Sequence, residues 1–346
     1  MTVVQAAPLT ARRRWLILTG LALLALSVAL LSLCVGSTAY RPWQLWGAEG
    51  QIARDVVLSL RLPRTLAAFA VGGLLALAGA LQQILLRNPL ADPYILGTSG
   101  GASVGALLAM LLGAGLAVVN LSAALGAGIA IVLVFVLAGR DLSSSQARLL
   151  LTGVAISAFS GAFSSLLLSL APDGLLRGMV FWMLGDLSGA QWPLALAGLG
   201  LLMALIWPFL RALNVMSLGA QTAHALGLNT QRLQWLLYAV AAIATALAVT
   251  TAGMIGFVGL IVPHALRLTI GQDQRLLIPA CAMTGGTVLL LADVIARVAI
   301  APQQLPVGVV TAMLGAPIFL YLLNAKPRRT IRPSIQSGPS AQGSAP

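Results

Sequence analysis

Long apolar segments dominate this chain and constrain its fold more than any other feature. A helix needs about 20 apolar residues to cross the hydrocarbon core of a bilayer. The chain has about ten segments of roughly this length, at 15–35, 66–86, 97–116, 121–138, 149–170, 192–210, 233–251, 255–270, 278–299 and 307–323. The fourth, eighth and tenth are short, so nine or eleven crossings stay open. The sequence therefore predicts an all-α polytopic membrane protein with about ten transmembrane helices.

The composition and the distribution of charge agree with a membrane protein and indicate its orientation. Only 8% of the 346 residues are charged and 59% are hydrophobic, which excludes a soluble globular domain. With a cytoplasmic N-terminus, 14 of the 20 basic residues fall on the cytoplasmic side and six fall outside. Because loops rich in arginine and lysine stay in the cytoplasm, we predict that both termini are cytoplasmic. The basic residues occupy separate connections, so the net charge of +12 does not indicate nucleic-acid binding.

The connections between the spans predict one membrane domain and a tail. We expect residues 1–325 to form a single transmembrane domain. Residues 326–346 are rich in Pro, Ser, Gly and Gln, and we expect a disordered cytoplasmic tail there. The longest cytoplasmic connection is 211–232. The second and seventh spans run in opposite directions, so spans 2–5 and 7–10 are candidates for an inverted repeat.

The chain lacks the residues that would let it power transport by itself. It has no GxxxxGK[ST] phosphate-binding loop, and its one lysine is Lys326 in the tail. All eight acidic residues lie at predicted span ends or in connections, whereas proton-coupled carriers keep carboxylates inside the membrane. This argues against a secondary transporter built on inverted repeats, which is the alternative of another class. No cluster of His, Cys or carboxylates indicates a membrane enzyme. We therefore expect a non-enzymatic subunit that a partner powers.

Ordered motifs run along nearly the whole chain. The first is Arg-Leu-Pro-Arg at 61–64, followed by a Gly-rich apolar span, Asn-Pro-Leu-Ala-Asp-Pro at 88–93 and Leu-Gly-x-x-Gly-Gly-Ala at 96–102. Further blocks follow at 181–185, 218–227, 253–264, 291–297 and 305–308. In the residues and the order of these motifs, the chain resembles the permease family of iron-siderophore, haem and cobalamin ABC importers.

The resemblance implies a permease subunit in the bacterial inner membrane. Its partners would be a second copy of the chain, two ATP-binding-cassette ATPase subunits, a periplasmic substrate-binding protein and membrane lipid. The chain itself would hold no cofactor or metal, since ATP and Mg²⁺ would bind to the ATPase. The leading expectation for the substrate is an iron chelate, either haem or a ferric siderophore. Cobalamin is the alternative.

Three arginines on the predicted outer face, Arg61, Arg64 and Arg297, oppose the general charge bias. In the family that the chain resembles, arginines of the matching blocks meet acidic residues on the substrate-binding protein. Such charge pairs orient docking and speed encounter. The alternative is a local role, such as an ion pair between Asp293 and Arg297 one helical turn apart.

The resemblance assigns a coupling role to the cytoplasmic connection. It implies a pair of short helices that fit the cleft of the ATPase and transmit its closure. The residues at the matching positions are Leu218, Gly219, Ala223, His224, Leu226 and Gly227. Ala220 and His224 depart from the family pattern, in which an acidic residue and an arginine are usual. A plain connection between two helices is the alternative.

The fifth span carries small residues at helical spacing, among them Ser157, Ser160 and Ser164. These serines either line a translocation pathway or pack against a neighbouring helix, and the sequence pattern is the same in both cases. By resemblance, a narrow cytoplasmic gate would lie at Ser145, Gln146 and Ala147.

Two further motifs receive structural interpretations. In 88–93, the prolines break the helix while Asn88 and Asp92 can accept hydrogen bonds from nearby main-chain amides, which predicts a rigid turn. His264 follows Pro263 inside the eighth span. We expect it to be structural, although an axial haem ligand would also need a histidine.

Overall fold

The computed structural model describes residues 10–36, 50–138 and 146–324, and every regular element in these ranges is helical. The first half contains α1 (Ala11–Cys34), α2 (Gly50–Asp55), a π-helical turn (Val56–Arg61), α3 (Leu62–Leu85), a 3₁₀ turn (Pro93–Leu96), α4 (Thr98–Leu111), α5 (Leu116–Ala138) and α6 (Gln146–Ser169). The second half contains α7 (Asp173–Met183), α8 (Trp192–Ile206), a 3₁₀ turn (Trp207–Phe209), α9 (Leu210–Ser217), α10 (Ala220–Ala225), α11 (Thr230–Ala252), α12 (Val258–Ile270), α13 (Gln274–Val298) and α14 (Val307–Asn324).

The helices confirm the prediction of an all-α polytopic membrane protein. Within the described ranges, eight helices are long and apolar enough to cross a membrane, and two more, α4 and α12, are apolar but shorter. Each of the ten predicted spans coincides with one of these helices. Hydropathy did not predict the short helices α2, α7, α9 and α10, because they are too short to cross a bilayer. The predicted tail lies outside the described residues, and the inverted repeat stays a prediction.

The centre of the fold is α3, in which every residue from 70 to 85 is buried. Small residues allow this, because neighbouring main chains approach it closely. A Cβ atom at Gly79 would overlap the carbonyl of Gly259 on α12, and one at Gly72 would overlap the carbonyl of Gly285 on α13. By contrast, α1 buries only Ala25, Val28 and Ser32. The helices α3, α11, α12 and α13 therefore form the interior, and α1 lies at the periphery.

Polar side chains of α3 hold the predicted turn at 88–93 in place. The Nε2 atom of Gln82 donates to the carbonyl of Pro93 at 3.1 Å, and that of Gln83 donates to the carbonyl of Ala91 at 3.3 Å. Within the turn, Oδ1 of Asn88 accepts from the Leu90 amide at 2.9 Å. Oδ1 of Asp92 accepts from the Tyr94 amide at 2.8 Å. These contacts confirm the rigid turn.

Candidate functional site

A buried carboxylate joins two of the three outer arginines. Asp293 on α13 is completely buried, and its Oδ1 lies 2.8 Å from Nε of Arg64 at the start of α3. Its Oδ2 lies 3.0 Å from Nε of Arg297, one turn further along α13. The alternative ion pair predicted from the spacing of Asp293 and Arg297 is thus confirmed. Both ion pairs lie near the end of α13, and the one between Asp293 and Arg64 joins this helix to α3.

Two of the arginines also hold the end of α1. Nη1 of Arg61 donates to the carbonyls of Leu33 and Cys34 at 2.9 and 3.1 Å. Arg297 donates through Nη1 to the carbonyl of Val35 at 3.0 Å and through Nη2 to Oγ of Ser32 at 2.8 Å. The last carbonyls of a helix have no partner within the helix and carry its negative dipole end, so cations stabilise them.

These contacts give Arg61 and Arg297 a role within the chain beside the expected docking role. Arg61 and Arg297 are only 6% and 5% exposed, because their guanidinium groups are directed inward to the end of α1. Arg64 differs, since its Nη1 also bonds to Oγ of Ser188 at 3.2 Å and to Oε1 of Gln304 at 2.6 Å in an exposed position. Docking through Arg61, Arg64 and Arg297 stays a prediction.

On the opposite side of the molecule, the connection 211–232 contains a pair of short helices, α9 and α10. Gly219 separates them at a φ of +123°, and Gly227 follows α10 at a φ of +83°. Both angles lie in the region that favours glycine. Ala223 is fully buried and anchors α10, whereas Leu218 and Leu226 are 53% and 64% exposed at its two ends.

The exposed face of this helix pair includes His224 and is bordered by Arg87. The guanidinium group of Arg87 lies 3.6–3.7 Å from where a Cβ of Gly219 would be. Arg87 itself has a φ of +46°, which is unusual for a residue other than glycine. Two exposed leucines at the ends of the short helix α10 form a surface suited to contact with another protein. A coupling role for these residues remains a prediction.

The small-residue stripe of α6 is used for packing against α4. Ser160 and Ser164 are 5% and 0% exposed, and Oγ of Ser164 lies 2.9 Å from Oγ of Ser103 on α4. A Cβ at Gly100 of α4 would come within 2.8 Å of the Cβ of Ser160. Ser157 is half-buried on the same face.

Ser160 and Ser164 therefore face α4 within the single chain, and a place for these serines on the translocation pathway stays a prediction. The other face of α6 is exposed and apolar, with Phe159 73% exposed and Leu166 50% exposed. Of the expected gate residues, Ala147 is exposed in the first turn of α6. Ser145 and the side chain of Gln146 lie outside the described residues.

Two concave regions were not predicted from the sequence. An apolar groove of about 720 Å³ runs along α4, α5 and α6. A more polar cavity of about 480 Å³ lies between α7 and the ends of α4, α5 and α11, and its lining includes Asn120, Arg177, Asp186, Gln191 and Thr250. Each of these residues lies close to the end of an apolar segment. Their approach to one another depends on tertiary packing, which is why the sequence did not show it.

The histidines and cysteines of the described residues do not come together. His264 on α12 packs edge-on against Phe319 on α14, with ring centroids 6.5 Å apart, in agreement with a structural role. His224 is exposed on α10. Cys34 and Cys281 are both free thiols. Within the described ranges, no group of three or more His, Cys, Asp or Glu residues is arranged to hold a metal ion.

Comparison with known proteins places this arrangement in one family. The vitamin B12 import system permease protein BtuC of Klebsiella pneumoniae subsp. pneumoniae is 42% identical over 316 residues, which cover 90% of this chain and 93% of that protein. BtuC of Salmonella schwarzengrund is 42% identical over 315 residues, covering 90% and 94%.

Solved structures show the same fold. An inward-facing structure described as being of the metal-chelate type of ABC transporter superposes with a TM-score of 0.80 at 32% identity, covering 89% of this chain and 98% of that one. PsaBC from Streptococcus pneumoniae shares the fold at a TM-score of 0.55 and 19% identity. Residues 23–325 match the FecCD transport family. The chain therefore belongs to the FecCD transport family and is a multi-pass inner-membrane permease subunit of an ABC importer.

Proposed function

We propose that this permease imports cobalamin. The observation that carries the proposal is the 42% identity to vitamin B12 permeases along 90% of the chain, with equally complete coverage of those proteins. Similarity of this extent covers most of the chain. It favours cobalamin, the alternative from the sequence, over the leading expectation of haem or a ferric siderophore.

We further propose that the importer contains two copies of this chain, two ATPase subunits and a periplasmic substrate-binding protein. The exposed leucines at the ends of α10 support contact with an ATPase, because a cytoplasmic apolar surface gains stability when a partner covers it. The exposed apolar face of α6 is available to a second copy or to lipid. The subunit binds no nucleotide itself, and it uses the hydrolysis of ATP by its partner to move the substrate.

A metal chelate is the second candidate for the substrate. The solved structure with the same fold and 32% identity is described as a transporter of metal-chelate type, and it covers nearly as much of the chain. Its lower identity is the reason that cobalamin comes first.

Transport by the reconstituted complex distinguishes the two candidates. Proteoliposomes containing this chain, its ATPase and its binding protein are given radiolabelled cyanocobalamin, with ATP inside or absent. We expect ATP-dependent uptake that unlabelled cyanocobalamin abolishes and that excess haemin or ferric siderophore leaves unchanged. ATP-dependent uptake of a ferric chelate or haem without any uptake of cobalamin would contradict the proposal.

A further inference from the structure

Reciprocal hydrogen bonds tie the first short cytoplasmic helix, α9, to the start of α13. Nδ2 of Asn214 on α9 donates to Oδ1 of Asp273 at 2.9 Å. In return, Oδ1 of Asn214 accepts from the main-chain amide of Gln274 at 2.7 Å. Asp273 is also the N-cap of α13, and its Oδ1 accepts from the Arg275 amide at 3.1 Å. A side chain of α9 thus satisfies one of the free amides at the start of α13.

The start of α1 joins the same cluster. Nη1 of Arg14 lies 3.4 Å from Oδ2 of Asp273, and both side chains are about one-fifth exposed. An ion pair this exposed contributes little stability. The hydrogen bonds of Asn214 are the shorter contacts, and one of them has a charged acceptor, which strengthens it. We call Asn214, Asp273 and Gln274 the α13 clasp.

The clasp lies at one end of a helix whose other end carries the buried ion pairs. Asp293 follows Asp273 by 20 residues, which corresponds to about 30 Å of α-helix, close to the thickness of the hydrocarbon core. Pro279, which lies early in α13, cannot donate to the carbonyl of Arg275, so α13 can change its tilt at this point. A displacement of α9 therefore acts directly on the first turn of α13.

We propose that Asn214 is a positioning residue that transmits movement of the α9–α10 pair to α13, and so couples ATP hydrolysis to rearrangement of the membrane helices. The inference rests on the proposed function, because it requires a partner ATPase to move α9 and α10. Hydrogen-bond networks between elements that change their arrangement can carry coupling between distant sites. The clasp is such a connection: it binds a short cytoplasmic helix to a buried membrane helix through side-chain and main-chain groups together.

The test measures the number of substrate molecules transported per ATP hydrolysed, in the reconstituted complex. Asn214→Ala removes both hydrogen bonds. Asn214→Asp keeps the acceptor for the Gln274 amide but places a second carboxylate against Asp273. We expect both variants to lower the ratio about tenfold or more, because each loses at least the hydrogen bond to the charged Asp273. ATP hydrolysis itself continues in both.

Two further variants separate coupling from a merely structural role. Gln272→Ala alters an exposed side chain next to the clasp and should leave the ratio unchanged. Gln272 contacts the clasp through its main-chain carbonyl, which accepts from Nε2 of Gln274 and is kept in the variant. Asp273→Asn keeps an N-cap and an acceptor for Asn214, so it should keep most of the coupling. A ratio in Asn214→Ala equal to that of wild type would overturn the proposal. So would failure of both Asn214 variants to assemble with the ATPase, since Asn214 would then only support the fold.

The outcome is independent of which substrate the importer carries. If the wild-type complex moves a metal chelate instead of cobalamin, the proposed substrate is wrong, and the ratio is measured with that chelate. If the wild-type complex hydrolyses ATP but transports neither, then the proposed function fails. The clasp is then tested by whether Asn214→Ala abolishes the stimulation of hydrolysis by the binding protein while Gln272→Ala preserves it. Equal stimulation in these two variants would overturn the inference.

Discussion

Replacing Asp293 should destabilise the protein far more than replacing any other carboxylate that forms an ion pair in the described part of the chain. Asp293 has no exposed surface, and it pairs with Arg64 and Arg297, whose side chains are 11% and 5% exposed. Removing one partner of a buried ion pair leaves the other charge uncompensated, at a cost of about 3–5 kcal/mol. Asp293→Ala and Asp293→Asn both leave two guanidinium groups without their anion. At roughly 2 °C per kcal/mol for a chain of this size, the unfolding temperature should fall by about 6–10 °C.

Asp273 provides the matched control on the same helix. Its ion pair with Arg14 has side chains that are 22% and 23% exposed, so Asp273→Asn should cost about 1 kcal/mol or less. Cys281 is completely buried and provides the assay. In a Cys34→Ala background, the reaction of Cys281 with a maleimide dye during heating reports unfolding directly.

The test compares the fall in unfolding temperature of Asp293→Asn with that of Asp273→Asn. Equal shifts for Asp293→Asn and Asp273→Asn would refute the reasoning. The main-chain carbonyls around Arg297 would then compensate its charge without the carboxylate. A large fall in unfolding temperature for Asp293→Asn alone would show that the ion pairs of Asp293 with Arg64 and Arg297 maintain the attachment of α3 to α13.

Three further predictions concern docking, coupling and the pathway. Gln304→Glu should pair with Arg64, which Gln304 contacts, and so slow association with the binding protein, most strongly at low salt. Gln303→Glu adds the same charge one residue away and should have a smaller effect. Equal association rates in the two variants would refute docking at this point. Gly227→Val forces a branched residue into a positive φ at about 1–3 kcal/mol, so transport should fall while membrane insertion, measured by fractionation, persists. Ser160→Cys should resist a water-soluble maleimide in the assembled complex, whereas Phe159→Cys should react with a membrane-permeant maleimide. Labelling of Ser160→Cys by the water-soluble reagent would indicate that the stripe lines the pathway.

The membrane helices were predictable because each depends mainly on local composition. A run of about 20 apolar residues specifies a crossing whatever its neighbours are, and α3, α11 and α13 were found where hydropathy predicted them. The turn at 88–93 was also predictable, because proline and the short acceptor side chains of Asn88 and Asp92 act within a few residues.

The roles of the arginines were not predictable in the same way, because they depend on distant partners. Arg64 and Asp293 are 229 positions apart, and Arg297 and Ser32 are 265 positions apart. The i, i+4 pair of Asp293 with Arg297 was the one contact in the cluster that spacing along the helix could suggest, and it is present. The stripe on α6 shows a similar limit, since only the position of α4 decides whether its serines are buried.

The outer cluster changes how mutations in the docking residues must be interpreted. Arg61 and Arg297 bind the last carbonyls of α1, and Arg297 also pairs with Asp293, so reversing either charge would set a carboxylate against carbonyl oxygens. Loss of docking in such a variant would follow from misplacement of α1 even if the binding protein never touched these residues. Arg64 combines an ion pair with the buried Asp293 and a contact with the exposed Gln304, through Nε and Nη1 respectively. Docking must therefore be tested through the exposed neighbour of Arg64, because this leaves the ion pairs with Asp293 intact.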